Sequence, residues 1–265
     1  MIPHAFRYHR PSSLAEAEKL LGGDAQLLAG GQSLIPAMKT RLAVPAQLVD
    51  ISGLKELAYV RVEANFLAIG ANSTHHQVAQ CADVKRTIPA LASLAEMIGD
   101  PAVRYRGTLG GSLANNDPAA DYPAAALALS AIIKTNRRTT AADDFFTGMF
   151  ATALESGEII TEGRFAIPER AAYAKFRNPA SRYALAGVFV AKSKAGVRVA
   201  ITGAGAGVFR QSDMERALEK NFTPAAIAAI KVDDSELNSD IHASAEYRAH
   251  LVGVMARRAV ESCLA

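Results

Sequence analysis

At 265 residues, half of them hydrophobic and 21% charged, the chain has room for two domains, or three small ones, with sizeable cores. Its 29 basic and 26 acidic residues leave a net charge of +3 with Lys and Arg scattered, which excludes a dedicated nucleic-acid surface. Cys81 and Cys263 are too few for a zinc or iron–sulfur site and imply no disulfide framework; no run is long and apolar enough for a membrane and "MIPHAFRYHRPSS" has no apolar core, so a reducing, cytoplasmic setting is expected.

After Pro11, "SSLAEAEKLLGG" predicts a helix. Ser13 and Glu16 have capping-box spacing, Leu14, Ala17 and Leu21 share a face, and Gly22-Gly23 stop it. "AQLLAGG" predicts a short buried strand running into a glycine turn, and "AQLVDIS" (46–52) and "FLAIGANS" (66–73) predict further strands that end in small polar residues. "THHQVAQCADV" and "IPALASLAEMIGD" read as helices, the second closed by Gly99 and followed by Pro101. "PAAALALSAIIKT" starts as a helix at Pro123 and becomes a strand near Ile132. From Glu158 the texture changes: "GEIITEGRFAIP", "AYAKFRNPA", "LAGVFVAKS" and "GVRVAITGAGAG" predict successive strands of an antiparallel sheet. The last portion is helical, in "SDMERALEK", "TPAAIAAI" and a long segment from Ser244 to Leu264. Mixed helix and strand favour an α/β or α+β fold, with divisions near Gly53 and at Ile167-Pro168.

Two glycine-bearing stretches carry the chemistry. "AGGQS" offers Gly30, Gly31, Gln32 and Ser33, and "TLGGS" offers Thr108, Gly110, Gly111 and Ser112. A diphosphate needs several backbone N–H groups converging on it; Gly-Gly permits positive φ and close approach, and Ser or Thr adds a hydroxyl donor. Neither stretch matches GxGxxG or GxxxxGK[ST], which disfavours a dinucleotide fold of that type and an NTPase. Tight turns would use the same residues, so the pair of stretches suggests one extended ligand held from two sides without requiring it. "NNDPAADYP" then places Asn115, Asn116, Asp117 and Asp121 around Pro118; these suit turns and helix caps, or, for Asp121, acceptance of hydrogen bonds from ribityl or ribose hydroxyls. His75 and His76 are adjacent, point differently on a helix and have no third ligand in view, so no metal site is read there.

"LLAGGQSLIPAMKTRL", "RGTLGGSLANNDPAADYPAAALAL", "KFRNPASRYALAGV" and "DIHASAEYRAHL" follow one another in an order that resembles the FAD-binding medium subunit of the molybdenum hydroxylases, the xanthine dehydrogenase and carbon monoxide dehydrogenase group. The resemblance covers nearly the whole chain. It implies an α+β protein: a vanillyl-alcohol-oxidase-type (PCMH-like) FAD-binding fold of two α/β subdomains, 1–53 and 54–167, plus a C-terminal antiparallel-sheet and helix domain, 168–265. It further implies that Ala29, Gly30, Gly31, Gln32 and Ser33 wrap the FAD diphosphate, with Leu28 and Leu34 flanking it. Thr108, Gly110, Gly111 and Ser112 would close on it from the other subdomain. Asn115 and Asp121 would bind the ribityl or adenosine part, Ile98 and Gly99 would line the cofactor, and Ile160 would pack against a ring. Lys175, or Arg177 two residues on, would put a positive charge near the flavin and raise its potential; Tyr183 is a weaker candidate for shielding the ring.

The same resemblance places molybdopterin on a large partner subunit and two [2Fe-2S] clusters on a small one. Electrons would reach FAD here and leave to NAD, oxygen, a quinone or another external acceptor, with no catalytic acid or base on this chain and no metal of its own. Two other readings stay open on residues alone. One is a stand-alone flavoprotein reductase of the same fold, similar to UDP-N-acetylenolpyruvoylglucosamine reductase; the other is a non-catalytic nucleotide-binding scaffold.

Overall fold

The computed structural model describes residues 2–265; Met1, the expected first residue of the first subdomain, lies outside them. The helix Leu14–Leu20 begins as its sequence dictates, with the Glu16 N–H donating to Ser13 Oγ at 3.2 Å. Glu16 does not complete the reciprocal cap on Ser13. Its carboxylate accepts instead from the N–H and hydroxyl of Ser12, at 2.7 and 2.8 Å. Strands Arg7–His9, Gln47–Asp50 and Ala25–Leu28 form a three-stranded parallel sheet with Gln47–Asp50 in the middle. Leu27 and Leu28 are half-buried rather than buried as the sequence suggests, because one side of their strand is the wall of a cleft. The core here is small, built from Ala17, Val49, Ile51, Leu54 and Leu57 with Ile159 contributed by a later segment.

A five-stranded antiparallel sheet follows, in the order Val60–Glu63, Phe66–Gly70, Ile160–Ala166, Ile132–Thr135, Thr139–Ala141. Ile160–Ala166 therefore sits in the middle of this sheet, whereas the sequence pattern reads it as the first of a continuous antiparallel series with the strands after it. Two long-range neighbours, invisible to local pattern, decide the difference. Helices His75–Gln80, Ala82–Thr87, Pro89–Glu96, Leu109–Asn115 and Tyr122–Ala128 supply the rest of this unit's core. "THHQVAQCADV" is two helices rather than one: Cys81 is extended (φ −64°, ψ 125°), and the break lets Val78, Ala79 and Val84 all face inward.

The last sheet runs Arg170–Arg177, Ala184–Ser193, Gly196–Thr202, Phe209–Arg210, all antiparallel. Ala184–Ser193 is apolar almost throughout because both of its faces are covered. Phe189 and Ala191 join the core of the five-stranded unit, while Ala186, Val188 and Val190 pack with Leu251, Val252, Met255 and Ala259 of the long helix Ala245–Leu264. "TPAAIAAI" forms only a 3₁₀ turn, Pro224–Ile227, in which Ile227 is the one buried anchor.

Candidate functional site

A cleft of about 910 Å³ opens between the three-stranded and five-stranded units, with the C-terminal sheet reaching its inner end. That is at the upper end of the roughly 300–1,000 Å³ usual for small-molecule sites. The first glycine stretch forms one wall. Leu28, Ala29, Gly30, Gly31, Gln32, Ser33 and Leu34 line the cleft in succession, between the end of strand Ala25–Leu28 and helix Leu34–Lys39. Gly31 has φ +71°, in the left-handed region, and a Cβ there would also stand 2.6 Å from Ile35 Cδ1. Gly30 is required for a different reason. A Cβ on it would run into the Arg106 carbonyl and lie 2.8 Å from Gly107 Cα, so this glycine lets the two walls touch. The backbone N–H groups of Ala29 through Leu34 have no acceptor among the described residues, and Ser33 makes no side-chain cap for the helix that follows.

The second stretch is organised otherwise. Thr108 is the N-cap of helix Leu109–Asn115, so "TLGGS" is the first turn of a helix rather than an open loop. Its N–H groups are already engaged: Leu109 donates to the Ser73 carbonyl (3.0 Å), Gly110 to the Ala71 carbonyl (2.8 Å), Gly111 to Thr108 Oγ1 (3.1 Å) and Ser112 to the Thr108 carbonyl (3.0 Å). Segment 107–110 thus docks edge-on along 71–75, and within "TLGGS" only the Thr108 N–H is left without a protein acceptor. Thr108, Gly110, Gly111, Ser112 and Asn115 still line the cleft, as do Ile98, Gly99 and Ile160.

Asp121 and Lys175 meet at the inner end. Lys175 Nζ donates to Asp121 Oδ2 at 2.9 Å and to the Met97 carbonyl at 3.4 Å, with its side chain 1% exposed. The Tyr173 hydroxyl donates to the other Asp121 oxygen. Burial pushes the Asp121 carboxyl upward from its ordinary value, and the Lys175 charge opposes that push. Burial and the neighbouring carboxylate hold the Tyr173 phenol well above its ordinary value, so it remains a donor. Each Asp121 oxygen therefore already accepts one hydrogen bond within the protein, so only its remaining lone pairs could serve the ribityl or ribose hydroxyls it was expected to bind. Lys175 reaches the cleft, while Arg177, two residues along the same strand, is exposed and does not line it. Tyr183 stands half-exposed at the cleft mouth.

All seventeen residues singled out from the sequence lie on this one cleft. Asn72 and Glu158, which the sequence did not single out, line it too, as do Asp117, read there only as a turn or cap residue, and His75, weighed there only as a metal ligand. Glu158 accepts from Arg138 Nε (2.9 Å), Thr135 Oγ1 (3.1 Å) and the Glu155 N–H (2.8 Å), and these bonds, led by the one from Arg138, hold its carboxyl down to about 2. Its partners are far apart in sequence, which hid it. His75 and Asn72 carried a usable signal in "GANSTHH": a strand ending in small polar residues just before a helix capped by Thr74. His76 turns away and stacks on Tyr105, ring centroids 4.0 Å apart.

An α+β chain whose units close on a large cleft, with a run of unengaged backbone donors on one wall and a buried lysine at the inner end, defines a protein built to carry a phosphate-bearing cofactor. Residues 4–169 match the family described as the FAD binding domain in molybdopterin dehydrogenase, and residues 171–263 match the CO dehydrogenase flavoprotein C-terminal domain. The chain is 38% identical to the carbon monoxide dehydrogenase medium chain of Hydrogenophaga pseudoflava, over 100% of this chain and 99% of that one. It is 36% identical to the nicotine 6-hydroxylase medium subunit of Paenarthrobacter nicotinovorans, over 97% and 96%. Among solved structures, the quinoline 2-oxidoreductase from Pseudomonas putida 86 superposes with a TM-score of 0.92 at 30% identity, covering 99% of this chain and 98% of that one. The reconstituted CO dehydrogenase from Oligotropha carboxidovorans gives 0.91 at 35% identity, covering 99% of each. The chain belongs to the FAD-binding medium subunits of the molybdenum hydroxylase family. Matches along its full length favour this over a stand-alone reductase or a non-catalytic scaffold.

Proposed function

We propose that the chain holds FAD in the cleft with the diphosphate on the Ala29–Leu34 stretch, and that it hands electrons from an iron–sulfur partner subunit to an external acceptor. The observation that carries this reading is the consecutive run of N–H groups without protein acceptors. Ala29, Gly30, Gly31 and Leu34 are half-buried, where backbone donors are rarely left unengaged, while Gln32 and Ser33 are exposed; a dinucleotide diphosphate supplies acceptors for such a run. When bound, the flavin supplies the electron-storing chemistry. The protein's own residues do the rest. Gly30 and Gly31 let the backbone come close, and Thr108, Ser112 and Asn115 present polar side chains from the opposite wall. The Asp121–Tyr173 pair fixes Lys175 so that its charge faces the cleft without drifting into solvent. The partners we assign are a large molybdenum-cofactor subunit and a small iron–sulfur subunit, the acceptor being NAD, oxygen, a quinone or another carrier. No helix among the described residues is long and apolar enough to cross a membrane. We place the protein in the cytoplasm, with Cys81 and Cys263 as free thiols. The three units are proposed to act as FAD-binding subdomains 1–53 and 54–167 and a C-terminal domain 168–265. The test is the identity of the released flavin. Denatured protein, purified alone or after incubation with FAD, should release FAD and not FMN, which lacks the diphosphate bridge; FMN, or no flavin after reconstitution, would overturn the assignment.

A further inference from the structure

His75 has no partner that explains its burial. It is 5% exposed, lies on the cleft, and makes no side-chain hydrogen bond with any described residue. Its backbone N–H is fixed to the Gly107 carbonyl at 2.9 Å, and its ring leans on Tyr122 with centroids 5.4 Å apart, so the imidazole is held in place. Nδ1 is closed off from solvent with no partner, whereas Nε2 lies against the backbone of Gly107; a Cβ on that glycine would come within 2.5 Å of it. Gly107 in turn is the residue that Gly30 approaches. Nε2 is therefore at the junction of the two walls, beside the stretch with unengaged backbone donors.

The tautomer follows from the cost of leaving a group unpaired. An orphaned N–H in the interior is rarer than an orphaned acceptor, so the proton belongs on Nε2 and the lone pair on the closed-off Nδ1. Burial, helped by the nearby Arg104 charge, keeps the ring neutral by holding its pKa down to about 4. A neutral donor whose direction is set by packing, next to an anion-receptive backbone, matches a phosphate oxygen better than any other part of a flavin nucleotide. We infer that His75 is a cofactor-contacting residue whose Nε2–H donates to an oxygen of the dinucleotide diphosphate. This rests on the proposed binding of FAD in this cleft.

The experiment is a titration of the full-length, flavin-free chain with FAD, ADP and riboflavin, following flavin fluorescence or heat. H75M removes the donor at similar length and H75Q keeps an N–H. A hydrogen bond to a charged oxygen is worth roughly tenfold or more in affinity. H75M should lose about that factor for FAD and ADP and nothing for riboflavin; H75Q should recover much of it. Melting temperatures and circular dichroism check that both variants fold. Should neither fold, the wild-type chain with ¹⁵N-labelled histidine still decides. Added ADP should move the His75 Nε2 resonance to that of a hydrogen-bonded N–H, and an unmoved resonance overturns the inference. Equal affinity of wild type and H75M for FAD and ADP overturns it, as does an equal loss for riboflavin. A wild-type chain that takes up no FAD at all overturns the proposed function, and this inference with it.

Discussion

Gly31 and Gly111 look alike in the sequence, each the second member of a Gly-Gly pair, yet they are constrained differently. Gly31 has a positive φ that a β-branched residue adopts only with strain, and it belongs to the stretch with free N–H groups. Gly31→Val should weaken FAD binding by about 1–3 kcal/mol, measured as the dissociation constant by flavin fluorescence. Gly111 has ordinary helical backbone, and a Cβ there meets only Thr108 Oγ1 at 2.9 Å. Gly111→Ala should therefore cost less than Gly31→Val; equal losses would mean the two walls contribute backbone contacts equally. His75 makes a second prediction at this scale, on stability. In the unfolded chain it gains a proton as the pH falls through 6.5, but in the folded chain only near about 4. Between those values the unfolded state binds more protons, so this group lowers stability progressively as the pH drops across that window and adds no further loss below it. Urea unfolding of the flavin-free chain at several pH values should show a shallower decline for H75Q than for wild type. Parallel declines would mean that His75 titrates normally.

Two elements carry most of the architecture around the site. Helix Leu109–Asn115 contains two glycines near its start and depends on its cap, the Gly111 N–H to Thr108 Oγ1 bond. Thr108→Ala should lower stability by about 0.5–2 kcal/mol in denaturant unfolding, and Thr108→Ser by much less. The motif "DIHASAEYR" does its work at the start of the long C-terminal helix. Arg248, 3% exposed, donates through Nη1 to the Leu185 and Gly203 carbonyls (3.0 and 2.8 Å) and through Nη2 to Asp240 Oδ2 (2.7 Å). Asp240→Ala would leave that buried guanidinium without its carboxylate, a loss of roughly 1.5–3 kcal/mol. A change within experimental error would show that the two carbonyls suffice. Elements with local causes were legible in the sequence: the Ser13 cap, the start of helix Tyr122–Ala128 at a proline, the short apolar strands set between turn residues that build the C-terminal sheet. What stayed hidden was set by distant partners. Ile160–Ala166 takes its place from strands Phe66–Gly70 and Ile132–Thr135, the N–H groups after Thr108 are engaged by Ala71 and Ser73, and Asp121 is claimed by Tyr173 and Lys175. For the site, residue type and spacing revealed which side chains gather on the cleft but not which of them were already partnered.

At the scale of the molecule, the arrangement separates holding the cofactor from feeding it. The cleft draws one wall from each of the first two units, and its buried cation comes from the third, so all three must be assembled before the site exists. Of the cleft's ionisable groups, Asp121, Lys175 and Glu158 are locked into internal pairs, and His75 faces the diphosphate junction in our reading. Among the described residues, no cluster of His, Cys, Asp and Glu could hold a metal ion. In the function we propose, electrons arrive from another polypeptide. The chain loaded with FAD should stay yellow under anaerobic conditions when offered aldehydes, N-heterocycles or carbon monoxide, and dithionite should still bleach it. The complex isolated from its source, with its large and small companions, should bleach with one of those donors. The oxidised-flavin absorption band reads both experiments. Bleaching of the isolated chain by an organic donor would make it a self-sufficient flavoenzyme and end the assignment to a supporting role. A source complex lacking either companion would remove the electron route that the proposed function requires.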